Sequence, residues 1–303
     1  MISRSLLAGG LLLAAFSTHA GVVADVAYLR GASAPWGQTT NEAAMDLAFG
    51  AGNWADLRMA DGPAPFQPGS GFRFIFLEGG DSTALELDAY LNANRAVIEA
   101  FVSAGGRLLL NAAPNQGGDI NFGFGGHLLN YNAGAGFFSD TVTAANAAHP
   151  VFVGPFTPVV TDYTGHHFGH AIIDGPLAPI ILSNDVPPPP VNGPSPASAG
   201  AIPQGGGGVP PFGSVVLGEL TFGSGCVLLG GMTTDNFHDP QPEAANLRAN
   251  ILDYTANNAN CVAGGNGTLP PPAAVPAIGI GGLLALFLLV AFGAGVGLSR
   301  RPA

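Results

Sequence analysis

The sequence predicts an α/β protein: a three-layer sandwich around a mostly parallel central sheet, followed by one C-terminal transmembrane helix. Three observations carry this expectation. Short, nearly unbroken apolar runs such as Phe72-Arg-Phe-Ile-Phe-Leu77 and Arg107-Leu-Leu-Leu-Asn111 end in glycine, asparagine or acidic residues, the pattern of strands buried on both faces. Segments with apolar residues at helical spacing alternate with them. Near the end, Ala277 to Leu298 carries no charge and would span about 33 Å as a helix at 1.5 Å per residue.

Taken in order, Val22 to Leu29 reads as a buried strand ending at Gly31. Thr40 to Phe49 reads as a helix, with Thr40 or Asn41 as cap and Gly50 as stop. A short strand fits Ala55 to Met59, and a strong one Phe72 to Leu77, leading into Glu78-Gly79-Gly80-Asp81. Ser82 caps a helix running to about Val102, whose Leu85, Leu87, Leu91, Val97, Ile98, Phe101 and Val102 form a wide apolar stripe. Gly105-Gly106 end it, and Arg107 to Asn111 is the next strand. Residues 112–140 are rich in Gly and Asn and show strand character only in patches. Val151 to Phe156, Ala171 to Asp174 and Ala178 to Leu182 read as short strands. Residues 186–213, with four prolines at 187–190 and four glycines at 205–208, read as a surface insertion. Strands resume at Ser214 to Leu220 and Val227 to Leu229, and Pro242 to Tyr254 is a helix with Leu247, Ile251 and Tyr254 on one face.

The two ends carry their own signals. Arg4, the apolar run Leu6 to Phe16 and Thr18-His19-Ala20 make residues 1–20 a secretory signal peptide. The exported body is then 21–262, joined by a Pro/Gly-rich stalk (263–276) to the apolar helix (277–298) and a basic tail (299–303) holding Arg300 and Arg301. Those arginines would stay on the cytoplasmic side and leave the body in the periplasm, anchored to the inner membrane. Val275-Pro276-Ala277-Ile278, then Gly282-Leu283-Leu284-Ala285-Leu286 and the arginine pair, resemble the tripartite C-terminal sorting signals of Gram-negative bacteria, of the IPTL-CTERM type and related to PEP-CTERM. Ile280-Gly281 stand where that pattern usually has an acidic-aromatic pair. The resemblance implies an exosortase-like sorting protease as partner and transfer to the cell surface.

Composition narrows the chemistry. All nine basic residues are arginine, which removes Schiff-base lysine chemistry and the P-loop lysine. The formal charge is −11, with six arginines against all twenty acids inside 21–262, so no basic stripe exists for nucleic acid. Such a surface favours solubility and repels polyanions.

A second set of landmarks runs through the body. Phe76-Leu77-Glu78-Gly79-Gly80-Asp81 is followed by a long helix and Ala104-Gly-Gly-Arg-Leu-Leu-Leu110. Then come His149-Pro150-Val151, Gly223-Ser-Gly-Cys-Val-Leu-Leu-Gly-Gly231 and Asn246-Leu-Arg-Ala-Asn-Ile-Leu252. In this order they resemble class I glutamine amidotransferase-like domains, including the ThuA-like branch. The resemblance implies a flavodoxin-like sandwich with its ligand at the carboxyl ends of the strands. It also implies a cysteine nucleophile on the turn after the central strand. Here that turn reads Asn111-Ala112-Ala113-Pro114-Asn115-Gln116, without Cys or Ser, so glutaminase chemistry is expected to be absent. No G-x-S-x-G elbow replaces it.

The two cysteines have another use. Cys226 opens a strand, and Cys261 lies just past the final helix, whose antiparallel packing would return it to that strand's start. An even count in an exported chain favours a disulfide, with two free thiols as the alternative. Candidate ligand residues at the strand ends are Glu78, Asp81, Asn111, Asn115, Asp235 and Asn236, with His166 nearby. Helix caps and turns use the same residue types, which is the plainer reading of them. His166, His167 and His170 offer three imidazoles within five residues and could bind Zn²⁺ or Cu²⁺; their flanking glycines favour a polar loop.

Three functions follow. The missing nucleophile, absent lysine and Gly/Pro-rich loops favour an exported protein with a catalytically inactive domain in a binding or structural role, with no cofactor and a glycan or envelope polymer as ligand. A surface hydrolase acting on carbohydrate or envelope polymer would need a carboxylate pair in one pocket. A metal-binding protein would use the histidine cluster.

Overall fold

The computed structural model describes residues 24–185 and 210–257. The signal peptide (1–20), most of the insertion (186–209), Cys261, the stalk, the apolar segment 277–298 and the sorting residues Val275, Pro276, Arg300 and Arg301 lie outside them.

Five strands form a parallel block. β1 (Val26–Arg30), β2 (Ala55–Arg58), β3 (Phe74–Glu78), β4 (Arg107–Asn111) and β12 (Gly225–Gly230) stand in the order β12-β4-β3-β1-β2. Side chains alternate between two cores. Tyr28, Phe74, Phe76, Leu109 and Leu228 meet α1 (Thr40–Phe49) and α4 (Glu243–Asn257) through Met45, Leu247 and Ile251. Leu29, Ile75, Leu77, Leu108 and Leu229 meet α2 (Ala84–Ser103) through Leu87, Leu91, Ile98 and Val102. Leu85, expected on the buried stripe, is 53% exposed.

The other half of the sheet is antiparallel. β7 (Ser139–Ala144), β8 (Asp162–Gly169), β10 (Ala178–Ser183), β11 (Val215–Phe222) and β13 (His238–Asp239) continue the sheet as β13-β8-β7-β10-β11 up to β12. Among the described residues five of the nine pairings are antiparallel. The expected mostly parallel, flavodoxin-like sandwich is therefore corrected to one ten-stranded mixed sheet. A second sheet of β5 (Ile120–Gly123), β6 (His127–Asn130) and β9 (Ile172–Asp174) packs on the α2 side, with Ile120, Phe122, Leu129 and Ile173 in that core.

The transmembrane expectation falls on residues 277–298, outside the described residues. No helix among the described residues is long and apolar enough to cross a membrane. Val151 to Phe156, expected as a strand, begins with the helical turn α3 (Pro150–Val153). Pro150 has no N–H to lose at a first helical position, and His149 Nδ1 caps the turn by accepting from Val151 N (3.3 Å). Cys226 is 1% exposed and disulfide-bonded.

Candidate functional site

The parallel register sets a polar row at the carboxyl ends of the strands. Arg30 pairs with Glu78, Glu78 with Asn111, and Asn111 with Gly230. Arg30 is fixed by a two-point contact with Asp56 (3.0 and 2.9 Å) and by Glu42 (3.3 Å). Asn111 is consumed by the backbone, donating to Met232 O (2.8 Å) and accepting from Met232 N (3.1 Å). Glu78 is 1% exposed, and its Oε1 accepts from Gly80 N (2.6 Å). Burial pushes its carboxyl up to about 8, against the opposing pull of that hydrogen bond and of Arg248.

Above this row, the loops after β1, β3, β4 and β12 meet β8 around a pocket of about 240 Å³. Trp36, Asn115, His166, His167, His170, Thr233 and Phe237 line it. Asp81 ties three of these loops together. Its Oδ2 accepts from Trp36 N (3.1 Å), its Oδ1 from Asn115 Nδ2 (2.8 Å), and its own N–H donates to Ala113 O (2.8 Å). Trp36, Asp81 and His167 all hold positive φ (51°, 51° and 60°), a conformation that costs a non-glycine residue about 1–3 kcal/mol and persists where surroundings enforce it.

The histidine cluster lies on β8 and just beyond it, where a polar loop was expected. Regular strand alternation would send His167 away from His166 and His170. The positive φ at His167, opposite a register shift between Ser139 and Thr141, breaks that alternation, so all three rings line one pocket. His167 stacks on Phe138 (4.5 Å between centroids) and donates from Nδ1 to Asp140 Oδ1 (2.9 Å). His170 Nδ1 faces Pro114 O at 3.0 Å; a carbonyl can only accept, so Nδ1 carries the proton. Burial pushes His170 down to about 4, so its imidazole is neutral near pH 7 and Nε2 offers a lone pair. Trp36 sets its ring edge-on to both His170 (5.5 Å) and Phe237 (5.6 Å).

Thr233 and His238 resemble a nucleophile and base, with Oγ1 and Nε2 2.9 Å apart. Their remaining contacts rule that out. His238 Nε2 also faces Phe168 O (3.1 Å), so it is the donor there, and Thr233 Oγ1 donates to His167 O (2.9 Å). No lone pair is left on Nε2 to take a hydroxyl proton. Among the described residues, no group of three or more His, Cys, Asp or Glu is arranged to hold a metal ion.

The structure thus gathers Asn115 and His166 into the pocket and places Asp81 behind its wall. It withdraws Glu78, Asn111 and Asp235 into the interior, and turns Asn236 outward, where its Oδ1 accepts from Thr40 Oγ1 (3.3 Å). Sequence reasoning passed over Trp36 and Arg248, and in the stretch Thr233 to Asp239, which it set on the cleft side, it chose Asp235 and Asn236 rather than Thr233 and Phe237. Trp36 was within reach, since Pro35-Trp36-Gly37 sits in the turn leaving the first strand, where the parallel half presents its ligand face.

No family model matches the chain, and no curated protein matches it. The parallel, flavodoxin-like fold that the amidotransferase resemblance implied is not the one observed. Solved structures that match include the β-galactosidase of Bacillus circulans sp. alkalophilus, at 10% identity over 79% of this chain with a TM-score of 0.38. Another is a cold-adapted β-galactosidase from Rahnella sp. R3, at 11% identity over 76% of this chain with a TM-score of 0.40. The chain spans 31% of the length of each. Both neighbours are carbohydrate hydrolases.

Proposed function

We propose that the described body is the binding domain of an exported protein, and that its pocket takes one neutral, hydroxyl-bearing ring, such as a single sugar residue, without hydrolysing it. The observation that carries this reading is the fixed orientation of two imidazoles beside two aromatic rings. Asp140 and Pro114 O hold the Nδ1 atoms of His167 and His170, leaving both Nε2 atoms for the ligand. Trp36 and Phe237 supply apolar ring surface, and Asn115 an amide. Hydroxyl groups satisfy such a set; a polyanion would find no arginine among the seven lining residues.

Size and chemistry both limit the reading. A volume of about 240 Å³ is below the ~300–1,000 Å³ of drug-sized sites, which suits a single ring better than a chain. No carboxylate lines the pocket, so the acid and base of a glycosidase have no place in it. Export rests on residues 1–20 and is supported by the bonded state of Cys226, since disulfides persist in oxidising compartments. The test is calorimetric titration of the purified protein with free monosaccharides. Binding that weakens about 10- to 100-fold in Trp36→Ala supports the proposal, a loss of about 1.4–2.7 kcal/mol. Binding that is indifferent to Trp36→Ala, or release of sugar from an aryl glycoside, would overturn it.

A further inference from the structure

Beneath the pocket lies a set of buried polar side chains that its lining does not include. Arg248 of α4 is 2% exposed, Glu78 1% and Asp235 5%. The guanidinium donates through Nη2 to Thr233 O, and its Nη1 is buried without a partner. Glu78 Oε2, Asp235 Oδ1 and Thr234 Oγ1 are likewise buried without partners among the described residues. On the α1 side, Asn41 Oδ1 and Glu42 Oε2 are in the same condition. A native interior tolerates few such atoms, because each forfeits its hydration.

The groups lie close enough to act on one another. Arg248 feels both Asp235 and Glu78, and each carboxyl in turn feels Arg248. Yet among the described residues no carboxylate oxygen reaches ion-pair distance of Arg248. A buried guanidinium that acts on two buried carboxyls without pairing with either, each side keeping an unpartnered atom, suits an interposed group. Gly80 makes room at the wall: a Cβ there would stand 2.5 Å from Glu78 Oε1 and 3.3 Å from the Trp36 ring.

We propose that this cluster is a binding site for a neutral hydroxyl group, which accepts from Arg248 Nη1 or the protonated Glu78 Oε2 and donates to Asp235 Oδ1. Charge supports the choice. Burial holds Glu78 protonated near neutral pH, leaving one guanidinium and one Asp235 carboxylate, so a charged occupant would be left uncompensated. Water and a sugar hydroxyl share this chemistry, and the site does not depend on what the outer pocket binds.

The test is a crystal structure of the purified protein that resolves ordered solvent, determined without sugar and after soaking in D-glucose. An oxygen within hydrogen-bond distance of both Arg248 Nη1 and one of the two carboxyls is expected. Water in both crystals identifies solvent as the occupant, and replacement by a glucose hydroxyl identifies ligand; either supports the site. Direct pairing of Arg248 with Asp235 or Glu78, or a space with no density, overturns it.

Discussion

The two halves of the large sheet solve burial differently. In the parallel half, β1, β3, β4 and β12 are buried along their whole length, because helices or the small sheet cover both faces. In the antiparallel half, β7 and β8 mix buried residues with half-buried and exposed ones. The first half supplies rigidity and the second supplies reach: its β8 carries the histidines to the ends of the parallel strands. Binding residues here are an edge feature of one half brought against the stiff end of the other.

The strongest test of this contrast is truncation. Phe76, wholly buried and stacked on Tyr28 (4.9 Å), should cost about 3–5 kcal/mol as Phe76→Ala, whereas Thr143→Ala on β7 should stay within about 0.5 kcal/mol. Equal losses in denaturant titrations would erase the distinction. Next in size is the staple on β12. Cys226→Ser should lower stability by about 2–4 kcal/mol by calorimetry, and an unaffected Tm would show that the parallel half needs no cross-link.

His170→Ala should weaken monosaccharide binding about tenfold, near 1.4 kcal/mol, while leaving Tm within a few degrees. A collapse of stability instead would make His170 part of the frame.

The smallest expected effect is in pH dependence. The folded chain keeps the Glu78 proton up to about pH 8, and the unfolded chain releases it near 4.5. Folding therefore takes up a proton between those values, and the Glu78 contribution is lost as pH rises through about 8. His170 has the opposite sign. Its folded value is about 4 against an ordinary 6.5, so its contribution is lost as pH falls from 6.5 through 4. His238, pushed down by burial and then by Arg248, adds to that acid limb. The two windows overlap from about 4.5 to 6.5, so stability should peak near pH 6.5 and fall toward 8, and Glu78→Gln should flatten that upper limb in a Tm series. An upper limb that survives the substitution would place the titrating group elsewhere.

Legibility in the sequence followed the same division. β1, β3, α2 and β4 could be read locally because each is a run with one period and a clear stop. Of the antiparallel strands, β10 and β11 could be read as well, but β7 and β8 could not. β7 pairs with β8 and β10 across long connections, four of its six residues are polar, and the signal at β8 is disguised by Gly165 and Gly169. For the site, the strand-end residues Glu78, Asp81, Asn111 and Asn115 were legible as a group. Which of them faces a ligand was not, since that depends on Asp81 capturing the Trp36 N–H and on the backbone turn at His167.

Cys226 stands at the opening of β12, and the Thr233–Asp235 turn follows that strand's other end. The covalent anchor and the recognition surface are therefore poles of a single rod of backbone threaded through the middle of the molecule. A change in redox surroundings acts on the pole remote from recognition. It would shorten how long each copy survives in its compartment while leaving its choice of guest intact.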